Sequence, residues 1–286
     1  MVRLSANPLG LIAGEGVFPL LVARGAHAAG RRVVCAAFRG SAWTQLRNEC
    51  DRFRWVSVAR PGSWIRYLRS AGCSEAIMVG RVAHQRLHDR WMYLRYIPDL
   101  RAVRLWLTRV RRDTRPYAVL GALMDELGSA GITVVDSTQY CREHLAAAGV
   151  MTRRQPTDLQ RQDMLYGWQL AQSISRMDIG QCLVVMRRQV VAVEALEGTA
   201  ALIQRAGSLC KTRGWTLVKV SNTTGDVRVD VPTIGTATIE ALHACGGGCI
   251  ALEAGKTLML EKPKVLELAD RYKIAIVGLD AALSPT

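Results

Sequence analysis

Leu9-Gly-Leu-Ile-Ala-Gly14 decides how the first half of the chain is read: a short apolar run closed by glycine, then a helical pattern over residues 18–27 that stops at Gly30. The same alternation continues downstream. Arg31-Arg-Val-Val-Cys-Ala-Ala-Phe38 is a second apolar run, a helical stretch over 64–69 ends near Gly72, and Glu75-Ala-Ile-Met-Val-Gly80 is a third. A helix over 120–127 leads to Gly131-Ile-Thr-Val-Val-Asp136. Runs that are apolar at consecutive positions are strands buried on both faces, and the helices between them make crossovers. Residues 1–150 therefore read as a Rossmann-like layer with a parallel sheet.

Residues 151–158, with Pro156, are polar and turn-like and read as a linker. Beyond them, residues 159–177 form an amphipathic helical pattern, and Gln181-Cys-Leu-Val-Val-Met-Arg-Arg-Gln-Val-Val-Ala-Val-Glu194 reads as a hairpin turning at Arg187-Arg188. Helices follow over 199–206, 236–245 and 264–272, with strands over 215–220, 227–231, 250–253, 257–260 and 274–278. A hairpin joined to crossover units predicts a mixed sheet. The whole is an α/β chain, a Rossmann-like layer plus a second mixed α/β domain over 159–286.

Composition narrows the class. With 49% hydrophobic and 22% charged residues, the 286-residue chain is globular in type rather than disordered. No run approaches the ~20 apolar residues of a membrane span, and the first apolar run is short for a secretory signal. Its eight cysteines form no CxxC pair, and Cys245-x3-Cys249 lacks the further ligands of a structural zinc site. Reduced thiols and a cytoplasmic location are expected.

The net charge of +14 points to an anionic partner: nucleic acid, a membrane surface or a phosphorylated substrate. Ten arginines fall between Arg81 and Arg115, interleaved with Trp91, Tyr93, Tyr96 and Trp106. No nucleic-acid-binding signature accompanies them, and the mixture of Trp and Arg suits a lipid headgroup surface. His84 and His88 stand one helical turn apart, but only Asp89 is near in sequence, which favours surface histidines over a metal site.

Three constellations carry candidate chemistry. Gly10-Leu-Ile-Ala-Gly14-Glu-Gly16 follows the first strand, where glycines let the backbone approach a phosphate, although a tight turn explains it equally well. Glu194-Ala-Leu-Glu197-Gly198-Thr199 puts two carboxylates between a strand end and a helix start. That arrangement suits a hard cation holding a phosphate, or simply a capped helix. In Asp226-Val-Arg-Val-Asp-Val-Pro-Thr-Ile-Gly235, an extended chain puts Asp226, Arg228 and Asp230 on one face. Arg228 would grip phosphate there while Asp230 bound a metal or activated water; a surface ion pair is the plainer alternative.

At these residues the chain resembles the LpxI type of UDP-2,3-diacylglucosamine pyrophosphatase, which acts in lipid A biosynthesis. The matches are Leu11-Ile-Ala-Gly14, Phe18-Pro19, Met78-Val-Gly-Arg-Val82, Met177-Asp-Ile-Gly-Gln181, Val191-Ala-Val-Glu-Ala-Leu-Glu-Gly-Thr199, Leu217-Val-Lys219, the segment 226–235, Glu253-Ala-Gly255 and Ile276-Val-Gly278. The resemblance implies Mg²⁺-dependent hydrolysis of the substrate's pyrophosphate to UMP and 2,3-diacylglucosamine 1-phosphate (lipid X), with the ligand site between the two domains. It makes Asp230 the catalytic residue and gives Asp226, Asp230 and Glu197 as metal ligands. The implied substrate contacts are Gly14, Gly80, Arg81, Gln181, Gly198, Thr199, Lys219, Arg228 and Thr233. The implied partners are UDP-2,3-diacylglucosamine and, peripherally, the inner face of the cytoplasmic membrane, without nucleic acid; a homo-oligomer is left open. The chain departs from the family pattern at Ala200, where aspartate is usual, and at Asn222-Thr-Thr-Gly225. A non-hydrolytic nucleotide- or lipid-binding paralogue is the alternative reading.

Overall fold

The computed structural model of the chain describes residues 7–82, 97–114, 116–221, 228 and 231–280. These fall into two compact units, one ending at Cys141 and the other beginning at Arg142; Arg228 counts with the first. The paired histidines 84 and 88 and much of the arginine-rich stretch lie outside the described residues, as do Asp226 and Asp230.

In chain order the first unit contains β1 (Leu9–Ala13), α1 (Phe18–Ala28), β2 (Val33–Phe38), β3 (Arg52–Val56), α2 (Pro61–Ser70) and β4 (Glu75–Val79). It continues with α3 (Leu100–Leu105), a wider π-type turn (Trp106–Val110), α4 (Pro116–Ser129) and β5 (Thr133–Val134). The strands form one parallel sheet in the order β3-β2-β1-β4-β5. Every residue of β1 and β2 is buried, as their unbroken apolar sequence requires. Ile12, Val34, Ala36 and Ala76 pack on one face against Trp64, Ile65 and Leu68 of α2 and Leu127 of α4. Each fully buried Leu or Ile there adds roughly 1.5–3 kcal/mol. Pattern reading missed β3, because Arg52-Phe-Arg-Trp-Val alternates as an edge strand does when one side meets water.

The second unit runs β6 (Gly149–Val150), α5 (Asp158–Arg176), β7 (Cys182–Met186), β8 (Gln189–Val193), α6 (Thr199–Leu209), β9 (Trp215–Lys219) and β10 (Thr233–Ile234). Then come α7 (Thr236–Cys245), β11 (Gly247–Glu253), β12 (Leu258–Met259), α8 (Lys262–Arg271) and β13 (Ala275–Leu279). The main sheet has the order β6-β13-β11-β9-β7-β8, in which β9, β11 and β13 are parallel and β6 and β7 antiparallel to their neighbours. A separate two-stranded pair joins β10 to β12. One sheet face buries Leu183, Val218 and Ala251 under Met164, Trp168 and Ala171 of α5. The other buries Cys182, Leu217 and Ile250 under α6, α7 and α8.

Two local devices set this sheet. Thr157 starts α5 with a reciprocal cap to Gln160. The β7–β8 hairpin turns at Arg187 and Arg188 as the sequence predicts, both with left-handed backbones (φ 51° and 57°), and their N–H groups donate to the buried Asp163 carboxylate at 3.0 and 2.6 Å. Residues 142–150, read from sequence with the first domain, lie in the second: Val150 of β6 pairs with Val277 of β13. A two-residue strand carries no periodicity by which sequence could place it. Among the described residues no helix is long and apolar enough to cross a membrane.

Candidate active site

In the first unit the strand order reverses between β1 and β4, and an open parallel sheet has its natural crevice beyond the C-terminal ends of such strands. Gly14 follows β1 and Gly80 follows β4, and the two strand ends are joined backbone to backbone. The Gly14 N–H donates to the Val79 carbonyl at 2.8 Å, and Glu15 and Arg81 exchange N–H to carbonyl bonds at 2.8 and 3.0 Å. A Cβ on Gly14 would lie 2.6 Å from the Arg81 carbonyl oxygen, and one on Gly80, where φ is +93°, would lie 2.6 Å from the Gly14 carbonyl carbon. The glycines are thus demanded by each other. Their closeness leaves backbone and the exposed Arg81 side chain at the switch point. Three residues taken from sequence, Gly14, Gly80 and Arg81, meet here.

In the second unit the polar residues gather where β9 ends. Lys219 is the last residue of β9 and only 5% exposed. It stands opposite Cys182 of β7, so both side chains share the sheet face covered by α6. Burial pushes the Cys182 thiol far up, and the neighbouring Lys219 ammonium only partly offsets it. Lys219 Nζ donates to Thr199 Oγ1 at 3.0 Å, and that hydroxyl donates to Glu194 Oε1 at 2.7 Å. Glu194 is itself buried, and its second oxygen, Oε2, has no hydrogen-bond partner among the described residues. Thr199 opens α6 behind Gly198, whose positive φ of 81° turns the chain into the helix. The helix N-terminus, with its outward N–H groups, therefore adjoins the ammonium.

The other carboxylate of this turn is engaged elsewhere. Glu197 is exposed; it accepts from the Ala195 N–H at 3.1 Å and pairs with Arg205 at 2.7 Å. Its carboxyl is held below the ordinary range, first by its own backbone N–H, against slight desolvation, and then by Ala195 and Arg205. Glu194, which the sequence offers beside Glu197 but the resemblance does not give as a metal ligand, is the carboxylate that faces Lys219 through Thr199. Strand parity was the available signal: Glu194 continues the inward face of buried Ala192.

A second buried acid closes the neighbouring strand. Glu253 ends β11; its carboxylate accepts from the Ser221 N–H at 2.7 Å and pairs with Lys256 at 2.7 Å. The Ser221 carbonyl in turn accepts from Ser175 Oγ at 3.1 Å. The chain leaving β9 is thus fixed up to Ser221. Gln181 stands beside Val220, on the opposite sheet face from Lys219, with its Oε1 buried and unpartnered among the described residues. Thr233 lies on β10, half-buried, in the smaller strand pair. Arg228, half-buried in a turn, lines a groove of about 470 Å³ with Met124, Asp125 and Thr133.

Comparison with known proteins bears on this arrangement. Residues 8–144 match the LpxI N-terminal domain and residues 147–277 the LpxI C-terminal domain. The chain belongs to the LpxI family. A similar protein is the UDP-2,3-diacylglucosamine pyrophosphatase LpxI of Caulobacter vibrioides, 29% identical across 97% of this chain and 99% of that one. The two LpxI domains coincide closely with the two compact units, the boundary at Cys141 falling just before the second match begins. Both the glycine contact of the first LpxI domain and the Lys219–Thr199–Glu194 relay of the second lie within the matched residues.

Proposed function

We propose that this chain hydrolyses the pyrophosphate of UDP-2,3-diacylglucosamine, giving UMP and 2,3-diacylglucosamine 1-phosphate, as a step in lipid A biosynthesis at the cytoplasmic face of the inner membrane. The relative from Caulobacter vibrioides carries that activity in its name. The observation that most supports it in this chain is the buried Lys219 ammonium, held by Thr199 at a helix N-terminus beside a carboxylate. A preorganised cation in a site of low dielectric stabilises charge that grows on a phosphoryl oxygen. Thr199 fixes where that ammonium sits, and the first N–H groups of α6 add donors to the same anion. Arg228 is proposed as a further cation for the phosphates, and the backbone at Gly14 and Gly80, with Arg81, is suited to the nucleotide end. Thr233 and, from the opposite face of the sheet, Gln181 are the remaining proposed substrate contacts.

Mg²⁺ is the proposed cofactor. The residues fit it in one respect that can be tested on the fold: Glu194 offers a hard carboxylate oxygen, buried and unpartnered among the described residues. Asp226 and Asp230 are the proposed further ligands, with Asp230 also the acid on which turnover depends. Glu197 is a poorer ligand, because both of its oxygens are engaged. When bound, Mg²⁺ would neutralise phosphate charge and orient the attacking water.

The test is UMP release by the purified chain from UDP-2,3-diacylglucosamine, with Mg²⁺ and with a chelator. Release in Mg²⁺, its loss in chelator and its loss in Asp230→Ala are expected. A folded chain that binds the substrate without releasing UMP would instead be the non-hydrolytic paralogue, and the proposal would fail.

A further inference from the structure

The first unit turns an apolar stripe toward solvent. Along α3 and the turn after it, Leu105 and Val110 face inward and pack beside Ala122 of α4. Leu100, Trp106 and Leu107 do the opposite and are 89%, 52% and 57% exposed. Leu100, Val103 and Leu107 recur at helical spacing, so they form one side of the element rather than scattered single residues. An Asp99 cap, accepting from the Ala102 N–H at 2.8 Å, starts the helix and holds that side in place.

The same element is strongly basic. Arg101 pairs with Glu126 and Arg109 with Asp125, which anchors the inner edge to α4. Arg104, Arg111 and Arg112 are exposed and have no acidic partner among the described residues. At the start of the element, Arg66 and Arg69 of α2 line a groove of about 430 Å³ together with Leu100 and Arg101.

We propose that this face docks on an anionic phospholipid bilayer. Leu100, Trp106 and Leu107 enter the boundary between headgroups and acyl chains, and Arg104, Arg111 and Arg112 meet the lipid phosphates. An apolar stripe flanked by cations is the composition of an element that lies in the plane of an anionic membrane surface. Tryptophan suits that depth, with an apolar body and a polar N–H. A second copy of this chain would set like-charged arginines face to face, and a nucleic acid would leave the leucines against phosphate. Charge and apolarity are both met only by the bilayer. The inference names the membrane surface of the proposed hydrolase but does not depend on turnover.

The experiment is co-sedimentation of the full chain with vesicles of phosphatidylcholine alone and of phosphatidylcholine mixed with phosphatidylglycerol, at low and high salt. Binding to the mixed vesicles, weakened by salt, is expected. The triple variant Leu100→Ser, Trp106→Ser, Leu107→Ser should lose binding about tenfold or more, each side chain contributing by its buried area. Arg104→Glu, Arg111→Glu, Arg112→Glu should lose the preference for anionic vesicles. All six positions are exposed, so both variants should melt with the parent chain. Equal binding by parent and both variants overturns the proposal. So does a parent chain that ignores vesicles but is a dimer that the serine variant makes monomeric, or one that binds duplex DNA instead. A chain that binds vesicles and releases no UMP upholds the docking face while overturning the hydrolase.

Discussion

Lys219 and Thr199 lie twenty positions apart in sequence and meet at 3.0 Å, the ammonium donating to a hydroxyl that is itself donating to Glu194. Thr199 is therefore the joint between a cation and an anion, both buried. Thr199→Val should remove the donor to Glu194 and cost about 1–3 kcal/mol in urea unfolding, because a buried carboxylate oxygen is stranded. Thr199→Ser should restore nearly all of it. Lys219→Met should lower kcat by about 10²–10³, the range for losing one preorganised donor. A valine variant as stable as the parent would show that the hydroxyl carries no load.

The contact between Gly14 and Gly80 makes a sharper demand. Gly80→Ala would meet the Gly14 backbone at 2.6 Å with a left-handed φ, and should destabilise the first unit by about 1–3 kcal/mol. Gly30→Ala, where φ is also positive but space is open, should cost only about 1 kcal/mol. Thermal unfolding of the two variants side by side checks the difference; equal losses would remove the steric argument.

Asp163 holds the β7–β8 turn from α5, so Asp163→Ala leaves two backbone N–H groups at Arg187 and Arg188 without their acceptor. Hydrogen bonds to a charged group are the stronger kind, and the expected loss is about 3 kcal/mol in urea unfolding. A loss below about 1 kcal/mol would mean that water replaces the carboxylate there.

Acid stability should depend in part on Asp51. Partial burial pushes its carboxyl up, but the Val33 N–H and the His27 imidazole outweigh burial and hold it below its ordinary 3.8. A carboxyl lowered by folding stabilises the fold above its unfolded pKa, and that contribution disappears as pH falls through the folded value. Melting temperatures of the parent should therefore fall more steeply below pH 3.8 than those of Asp51→Asn. Parallel profiles would exclude the group.

The helices and buried strands were legible because each is long enough to show its period, or apolar enough to need burial on both faces. β1, β2, β7 and β9 are all of this kind. What escaped were elements whose reason lies in a neighbour. β3 reads as polar because it is an edge, and β6 exists only through its pairing with β13. The site was legible in the same uneven way. Thr199 and Lys219 were named together from the resemblance, and the hydrogen bond between them is visible only in the fold. Between Glu194 and Glu197, sequence offered two similar carboxylates at one turn. Only the pleat of β8 decides that the first is buried and the second paired with Arg205 in solvent. Asp226 and Asp230, which the resemblance gives as metal ligands, lie outside the described residues.

The small strand β6 also bears on where the chain can be cut. Gly278 has no room for a Cβ because the Ala147 carbonyl oxygen would sit 1.8 Å from it, so residues 147–150 lie tightly along the border of β13. A recombinant second half begun at residue 159 would strip that cover and bare the apolar border of the five-residue β13, an invitation to pair with other molecules and precipitate. Begun at Arg142, it would keep its own hem.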